Sequence, residues 1–351
     1  MSDTTPALYV GLDVSLAETH ICVLDQSGSR VFEGVVASDP DALEKLLNER
    51  APACSSIAIE TGATTPWLWR ELRKRGVAVT CIDARHANRA LSMRRNETDR
   101  NDAQGLAELM RIGWYKEAYV RTVDAQHIRS MMNGRYQLRQ CRKDILNQMQ
   151  GIVKVFGLFS GSTATTKFPE MLRQVAADNP MAARMLTPLL NAFHALETEI
   201  DAYEVELRDI AKHDSDARRL MTIPGVGYLV ALRYMSAIED PARFTSSAKV
   251  GAYLGLTPRV RQSGEGQWTA GIGPAPDPIL RSYLYEAAGT IITRIVKWSR
   301  LKAWGVRLYK RVGFKRAAIA VARKLATIMH AVWSDGTEFV YSNEPTRAQM
   351  T

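Results

Sequence analysis

The sequence predicts an α/β domain in its first third, followed by long helices and a mainly α-helical C-terminal domain. Short β-branched segments alternate with helical patterns up to about residue 120. Residues 125–215 then carry apolar residues at helical spacing, with one break rich in Gly, Ser and Thr. We therefore expect four parts, at residues 1–122, 123–215, 216–340 and a tail at 341–351.

The order of elements in the first part narrows its fold. LYVGLDVS, ETHICVLDQ and RVFEGVVAS predict an antiparallel meander of three strands. The pattern continues with the helix DPDALEKLLNER, the strand SSIAIET, the helix TPWLWRELRKRG, the strand VAVTCIDA and the helix DRNDAQGLAELMRIG. This is the order of an RNase H-like domain, but sugar-kinase and actin-like ATPases share it, so topology alone does not choose a function.

The middle part, residues 123–215, consists of two long helical patterns on either side of the break LFSGSTATTKFPEM. We predict an antiparallel helical hairpin or coiled-coil stalk. Two helices of an ordinary bundle are the alternative.

Charge is unevenly distributed along the chain, which has a net charge of +9. Residues 1–120 hold 14 Lys/Arg and 17 Asp/Glu, and the remainder holds 32 and 20. This asymmetry indicates a metal-dependent catalytic part and a part that binds a polyanion. No apolar stretch is long enough to span a membrane, so we expect no membrane partner and a cytoplasmic, nucleoid-associated protein.

Four carboxylates form the first candidate site. Asp13 lies in the first strand and Glu60 near the end of the fourth, and in an RNase H-like sheet these strands are neighbours. Asp99 and Asp102 begin the helix that would cross the same edge. Four anions in one pocket would raise some of their pKa values, and a divalent cation would remove the conflict. We therefore predict a Mg²⁺ site, with one or two ions, that acts on phosphate.

Each acid also has an ordinary explanation. An Asp before Ser is often a turn residue, a Glu before Thr-Gly is often a surface residue, and an Asp pair at a helix start favours the helix dipole. The four together, in the right topological order, favour the metal site.

The segment TIPGVGYLVALRYM, residues 222–235, resembles a helix-hairpin-helix turn. Gly225 and Gly227 would let backbone N–H groups approach a phosphate at a helix N-terminus. A plain turn between helices is the alternative.

A serine and a basic region complete the candidates. In GLTPRVRQSGEGQW, Ser263 lies beside arginines that could stabilise a phosphoryl group, although a loop serine is the simpler interpretation of the local residues. Residues 281–324 hold 12 Lys/Arg and one acid, with Trp and Tyr interleaved, a pattern typical of nucleic-acid binding but also of a solvated helix face. The predicted nucleic-acid contacts are Gly225, Gly227, Arg259, Arg261, Arg281, Lys297, Arg300, Lys302, Lys310, Arg311, Lys315 and Arg316.

The motifs GLDVS, IAIETGATTPW, TDRNDAQGLAEL, IPGVG, FTSSAKVGAYLGLTPRVRQSG and LRSYLYEAA occur in this order along almost the whole chain. In this combination the chain resembles the DEDD transposases of bacterial insertion sequences, which are related to Piv-type DNA invertases and known as bridge-RNA-guided recombinases. One departure is GIGPAPDPILR, where Pro274 and Pro276 stand in place of a Lys and a Gly expected from the family.

The resemblance implies specific roles. Asp13, Glu60, Asp99 and Asp102 match the metal-binding tetrad of the family's RuvC-like domain, and Ser263 matches the serine that becomes joined to DNA. It further implies a homodimer that assembles into a homotetramer, active sites shared between subunits, and a guide or bridge RNA that pairs with donor and target DNA.

Three functions are weighed on this basis. The leading hypothesis is a Mg²⁺-dependent transposase or recombinase that cuts and rejoins DNA through a phosphoserine intermediate. The second is a RuvC-like nuclease that uses activated water, and the third is a non-catalytic RNA- or DNA-binding remnant. An actin-like kinase is disfavoured because the glycine-rich phosphate loops are absent from the sequence.

Overall fold

The computed structural model describes residues 7–52, 54–92, 98–158, 168–263, 266–273 and 276–341. The chain divides into two compact units, Met1–Arg121 and Thr122–Thr351. The second unit contains both the predicted stalk and the predicted C-terminal domain, so the separation of these two parts at residue 215 stays a prediction. The predicted tail lies outside the described residues from 342 onward.

The first unit is a five-stranded mixed sheet with helices, which confirms the predicted α/β class. The strand order is β3-β2-β1-β4-β5, with β1 to β3 antiparallel and β4 and β5 parallel to β1. Its elements are β1 Leu8–Val14, β2 Glu18–Leu24, β3 Arg30–Ala37, α1 Pro40–Arg50, β4 Cys54–Glu60, α2 Thr65–Lys74, β5 Val79–Ile82, α3 Ala84–Leu91 and α4 Asp99–Arg111.

The sequence pattern explains these elements locally. Asp39 caps α1 by accepting hydrogen bonds from the N–H groups of Asp41 and Ala42, and Pro40 occupies the first helical position. Alternate aliphatic residues of β1 and β4 are buried and pack with residues of α1 and α2 in one core cluster. The short helix α3 was missing from the predicted order, because Leu91 is the one large apolar residue in its segment ARHANRAL.

The described residues of the second unit are mainly helical, with the hairpin β6–β7 as their sheet structure, which agrees with the predicted mainly α-helical region. Its elements are α5 Val123–Val155, α6 Phe168–Asp178, α7 Pro180–His213, α8 Ser215–Met221, α9 Tyr228–Ile238, α10 Ser247–Tyr253, β6 Pro258–Ser263, β7 Gly266–Ile272, α11 Pro278–Thr293, α12 Arg300–Val312 and α13 Phe314–Ser334, with a 3-10 turn at Pro241–Arg243.

The two longest helices, α5 and α7, pack against each other. Arg135 pairs with Glu204 and Arg142 with Glu197, so residue numbers rise along one helix as they fall along the other. The helices are therefore antiparallel. Helix α6, which begins inside the predicted break, packs on both near Met149.

The hairpin β6–β7 differs from the prediction, which placed Ser263 in a loop. Ser263 is the last residue of β6 and pairs with Gly266 of β7. The strands PRVRQS and GQWTAGI contain charged, polar and glycine residues, so their β pattern is weak. Within the described residues, no helix is long and apolar enough to cross a membrane.

Candidate functional site

The sheet register brings Asp13 and Glu60 to the same edge. Leu12 of β1 pairs with Ile59 of β4 in parallel, and the two acids are the next residues along these strands. Glu60 is followed by a turn that Thr65 fixes, because its hydroxyl donates to the Glu60 carbonyl oxygen at 2.6 Å. The neighbouring positions of Asp13 and Glu60 therefore follow from strand order alone.

A close contact between β1 and α4 brings two more acids to this edge. A Cβ atom on Gly11 would lie 1.9 Å from the carbonyl oxygen of Ala103, so only glycine lets α4 pack this closely on the strand. Asp99 and Asp102 occupy the first turn of α4, whose N-cap is Thr98. The helix dipole favours negative charge at this end.

Electrostatics show that the four carboxylates act on one another. Burial, together with the charges of Asp99 and Asp102, raises the pKa of Asp13 from 3.8 to about 6, although His20 acts in the opposite direction. Burial also raises the pKa of Glu60, with contributions from Asp13, Asp102 and Asp83. The edge of the sheet is a half-buried site of concentrated negative charge.

Two residues of this site were missing from the sequence prediction. His20 of β2 is directly opposite Asp13 in the antiparallel register, and its Nε2 lies 3.6 Å from Asp99 Oδ2. Asp83 follows β5 and caps α3 by accepting from the N–H of His86. The signal for Asp83 was its position after a strand parallel to β4, the same signal that indicated Glu60.

The donor set suits a hard divalent cation, because carboxylate oxygens are the ligands that Mg²⁺ prefers. Burial and the negative charges of Asp99 and Asp102 both raise the pKa of Asp13, and a bound cation would offset both effects. In the described part of the chain, no three His, Cys, Asp or Glu side chains are already close enough to hold one ion. The residues fit a divalent cation by their chemistry and their convergence at one edge.

The structure places Ser263 at the end of strand β6, paired with Gly266 of β7. Strand β6 has six residues and so spans about 17 Å from Pro258 to the tip. Arg259 and Arg261 lie on the same strand. On the other strand, β7 is followed by Gly273, whose carbonyl accepts a hydrogen bond from Arg281 at 2.6 Å. Pro274 lies outside the described residues.

The glycines of the IPGVG turn have different surroundings. Gly225 has a φ of 79°, and a Cβ atom there would lie 3.0 Å from the carbonyl oxygen of Ala287 in α11. Packing therefore explains this glycine. Gly227 is exposed, has open space around it and is the N-cap residue of α9. A nucleic-acid contact at either glycine stays a prediction.

The other predicted basic contacts separate into two groups. The first group contacts other residues of the protein. Lys302 contacts the Ile295 carbonyl oxygen, Lys297 lies 3.8 Å from the ring centre of Tyr341, and Arg281 donates a hydrogen bond to the Gly273 carbonyl oxygen. The second group consists of exposed side chains on α12 and at the start of α13: Arg300, Lys310, Arg311, Lys315 and Arg316.

Comparison with known proteins identifies the chain. Residues 10–157 match an IS110-type DEDD transposase family, and residues 217–303 match the family described as "Transposase IS116/IS110/IS902 family". These matches define the class of protein, an enzyme that acts on DNA. The chain carries IS110/IS116/IS902-family transposase domains and is an insertion-sequence transposase of the DEDD type.

Individual relatives agree with this assignment. The transposase for insertion sequence element IS1111A from Coxiella burnetii is 26% identical over 337 residues, which cover 92% of this chain and 88% of the relative. The transposase for insertion sequence element IS1328 from Yersinia enterocolitica is 28% identical over 290 residues, which cover 82% of this chain and 86% of the relative. A pilin gene-inverting protein from Moraxella bovis is 33% identical over 118 residues, about a third of each chain.

Proposed function

We propose that this transposase cuts and rejoins DNA strands as a recombinase, with Asp13, Glu60, Asp99 and Asp102 as its acidic site and Ser263 as its nucleophile. The observation that carries the proposal is the convergence of acids from β1, β4 and α4 at one half-buried edge of the sheet. Burial there, together with the charges of Asp99 and Asp102, raises the pKa of Asp13 to about 6. Such convergence costs stability, and phosphoryl-transfer chemistry gives a reason to keep it.

The four carboxylates would hold a divalent cation, which we propose to be Mg²⁺. When bound, the cation would stabilise negative charge on phosphate oxygens and favour ionisation of a nearby hydroxyl. The protein would contribute the four carboxylate ligands and fix their positions. Asp13 and Glu60 provide the ligands fixed by the sheet, and Asp99 and Asp102 provide ligands fixed by the helix packed on Gly11.

The chemical step we propose is a transesterification. The Ser263 oxygen forms a bond to phosphorus and loses its proton, while the bond from phosphorus to the leaving sugar oxygen breaks and that oxygen takes up a proton. The number of phosphoester bonds is unchanged, so rejoining needs no ATP. The position of Ser263 at the end of the hairpin would let the serine of one subunit reach the carboxylates of another.

The partners follow from the same proposal. Element-end and target DNA would bind the basic surface of the second unit, a bridge RNA would choose the sites by base pairing, and homodimers would pair into a homotetramer. Helices α5 and α7 would serve as a coiled-coil stalk for this assembly, and the IPGVG segment would act as a helix-hairpin-helix turn. The enzyme would work in the cytoplasm, associated with the nucleoid.

A nuclease that uses metal-activated water is the second candidate, because the acidic site alone would be sufficient for hydrolysis. In that case Ser263 has no chemical role. A non-catalytic nucleic-acid-binding remnant is the third candidate, and it would bind DNA equally well without metal.

Trapping of a protein–DNA adduct separates these candidates. Labelled element-end DNA is incubated with the protein, element RNA and Mg²⁺, and the products are run on a denaturing gel. We expect a retarded covalent species with the wild type and with Ser246→Ala, an exposed serine of the same unit whose side chain caps nothing. Ser263→Ala should give none. Cleavage without any adduct would favour the nuclease, and no cleavage by the wild type would favour the remnant.

A further inference from the structure

One face of α12 carries an ordered row of exposed side chains. Arg300, Trp304, Arg307 and Arg311 are all exposed and follow one another at spacings of four, three and four residues. Residues at these spacings share one helix face, and the row is about 16 Å long. We call these four residues the α12 stripe. Arg307 was not among the predicted nucleic-acid contacts.

The opposite face of α12 fixes the direction of the stripe. Leu301 and Gly305 are buried, and a Cβ atom on Gly305 would lie 2.9 Å from the Val321 side chain and 3.3 Å from that of Ile292. The helix therefore packs closely on α13 and α11 with little freedom to rotate. The stripe faces outward because the packing requires it.

The stripe is cationic without local compensation. The sequence holds no Asp or Glu between Glu286 and Asp335, and α12 itself has none. Within the described residues, the arginines of the stripe form no ion pair. Like charges at spacings of three and four residues destabilise a helix by about 0.2–0.5 kcal/mol per pair. A polyanionic ligand would relieve this repulsion.

An exposed aromatic ring in the middle of the row indicates which kind of polyanion the stripe would bind. Trp304 is 37% exposed and lies between the cationic residues Arg300 and Arg307 of the same face. A duplex hides the faces of its bases in its own stack, whereas an unpaired strand offers each face to an aromatic side chain. A cationic row alone would be sufficient for duplex phosphates, so the exposed indole favours an unpaired strand.

We propose that the α12 stripe binds single-stranded DNA, with a base stacked on Trp304 and the flanking phosphates held by Arg300, Arg307 and Arg311. DNA is chosen over RNA because the family acts on DNA, and strand cleavage exposes unpaired DNA ends. The proposal rests on the DNA-acting function but not on the serine chemistry. Binding can therefore fail or succeed independently of Ser263.

The test measures binding without catalysis. Fluorescence anisotropy in EDTA compares a labelled oligo(dT) strand, a blunt duplex and an oligo(U) strand of equal length. Trp304→Leu keeps apolar bulk but loses the aromatic face, and we expect it to weaken oligo(dT) binding by about five- to 150-fold while duplex binding changes less than about twofold. Trp304→Phe should retain most of the affinity for oligo(dT).

Two further variants act as controls. Trp67→Leu removes a 47% exposed tryptophan from α2 of the first unit and should leave all three affinities unchanged. Arg307→Gln should reduce the salt dependence of oligo(dT) binding by about 0.7 in the logarithmic slope, as expected for one lost phosphate contact to a single strand. Equal loss for strand and duplex, no loss for either, or a loss confined to oligo(U) would overturn the proposal.

Discussion

The two units contain buried charge arranged in opposite ways. In the first unit, acids of one sign converge around Asp13, and burial and mutual repulsion raise its pKa to about 6. In the second unit, the acid Asp277 is 4% exposed and lies among cations, because Arg233 Nη2 donates to its Oδ1 at 2.9 Å and Arg129 contacts its Oδ2. The carboxylate of Asp13 lies near charges of its own sign, whereas the carboxylate of Asp277 lies near charges of the opposite sign.

The pKa of Asp277 moves in the direction opposite to that of Asp13. Burial raises the pKa of Asp277, but the hydrogen bonds from Arg233 and the Leu280 N–H, together with the charge of Arg129, lower it below its ordinary value. This carboxylate also caps α11, so it joins α5, α9 and α11. Compensated buried charge is typical of structural support, whereas uncompensated charge of one sign points to a site kept for function.

The largest expected effect is on chemistry at the acidic site. Asp102→Asn keeps the shape of the side chain but removes one ligand charge, so we expect strand transfer to fall by at least about 10²–10³-fold. Nucleic-acid affinity measured in EDTA should change little. Asp25→Asn, in the β2–β3 turn, is the control and should retain full activity. Wild-type turnover by Asp102→Asn would remove Asp102 from the proposed site.

The next largest effect concerns the structural cluster. Asp277→Ala leaves the buried Arg233 and the partly buried Arg129 without their carboxylate, and we expect the free energy of unfolding to fall by about 3–5 kcal/mol. Urea denaturation followed by circular dichroism measures this loss. Asp214→Ala removes the carboxylate that caps α8 in the same unit and should cost only about 1 kcal/mol. Equal losses in the two variants would show that Asp277 acts only as a cap.

The third effect is a gain rather than a loss of folding stability, and it concerns Asp13. Because the folded state raises the pKa of Asp13 from 3.8 to about 6, the folded chain holds this proton more tightly than the unfolded chain does. The contribution of Asp13 to the stability of the metal-free protein should therefore become less favourable as pH rises from about 4 to about 6, and stay so above that range. Asp13→Asn removes this penalty.

We expect Asp13→Asn to stabilise the metal-free protein by about 1–2 kcal/mol at pH 7 and to change its stability little at pH 4, after allowance for the partial exposure of the site. Thermal and urea unfolding in EDTA at both pH values provide the measurement. A variant that is destabilised at pH 7 would mean that Asp13 is a paired structural acid like Asp277.

Strand patterns were the most predictable part of the fold. The β-branched segments of the first unit predicted its five strands in the observed order along the chain. The RNase H-like topology that this order indicated made the first and fourth strands neighbours, and with them Asp13 and Glu60. The serine hairpin was not predictable in this way, because PRVRQS and GQWTAGI lack apolar alternation. Helix α6 was hidden by the Gly- and Thr-rich residues before it.

Some residues of the candidate site were predictable from the sequence and others were not. Acids at strand ends and helix starts can be found by position, since the topology brings such positions together. His20 could not be found, because its role depends on the cross-strand partner that the register gives it. Arg307 was missed because the direction of its side chain is set by how Gly305 packs on α13, which the sequence does not state.

The claim that a cation explains the converging acids is tested most directly by metal binding. Mn²⁺, which carboxylate sites accept in place of Mg²⁺, is titrated into the metal-free protein at neutral pH, and free Mn²⁺ is measured by electron paramagnetic resonance. We predict saturable binding by the wild type and by Asp25→Asn, and affinity at least about tenfold weaker in Asp13→Asn. Equal Mn²⁺ binding by all three proteins, or binding by none, would contradict the account.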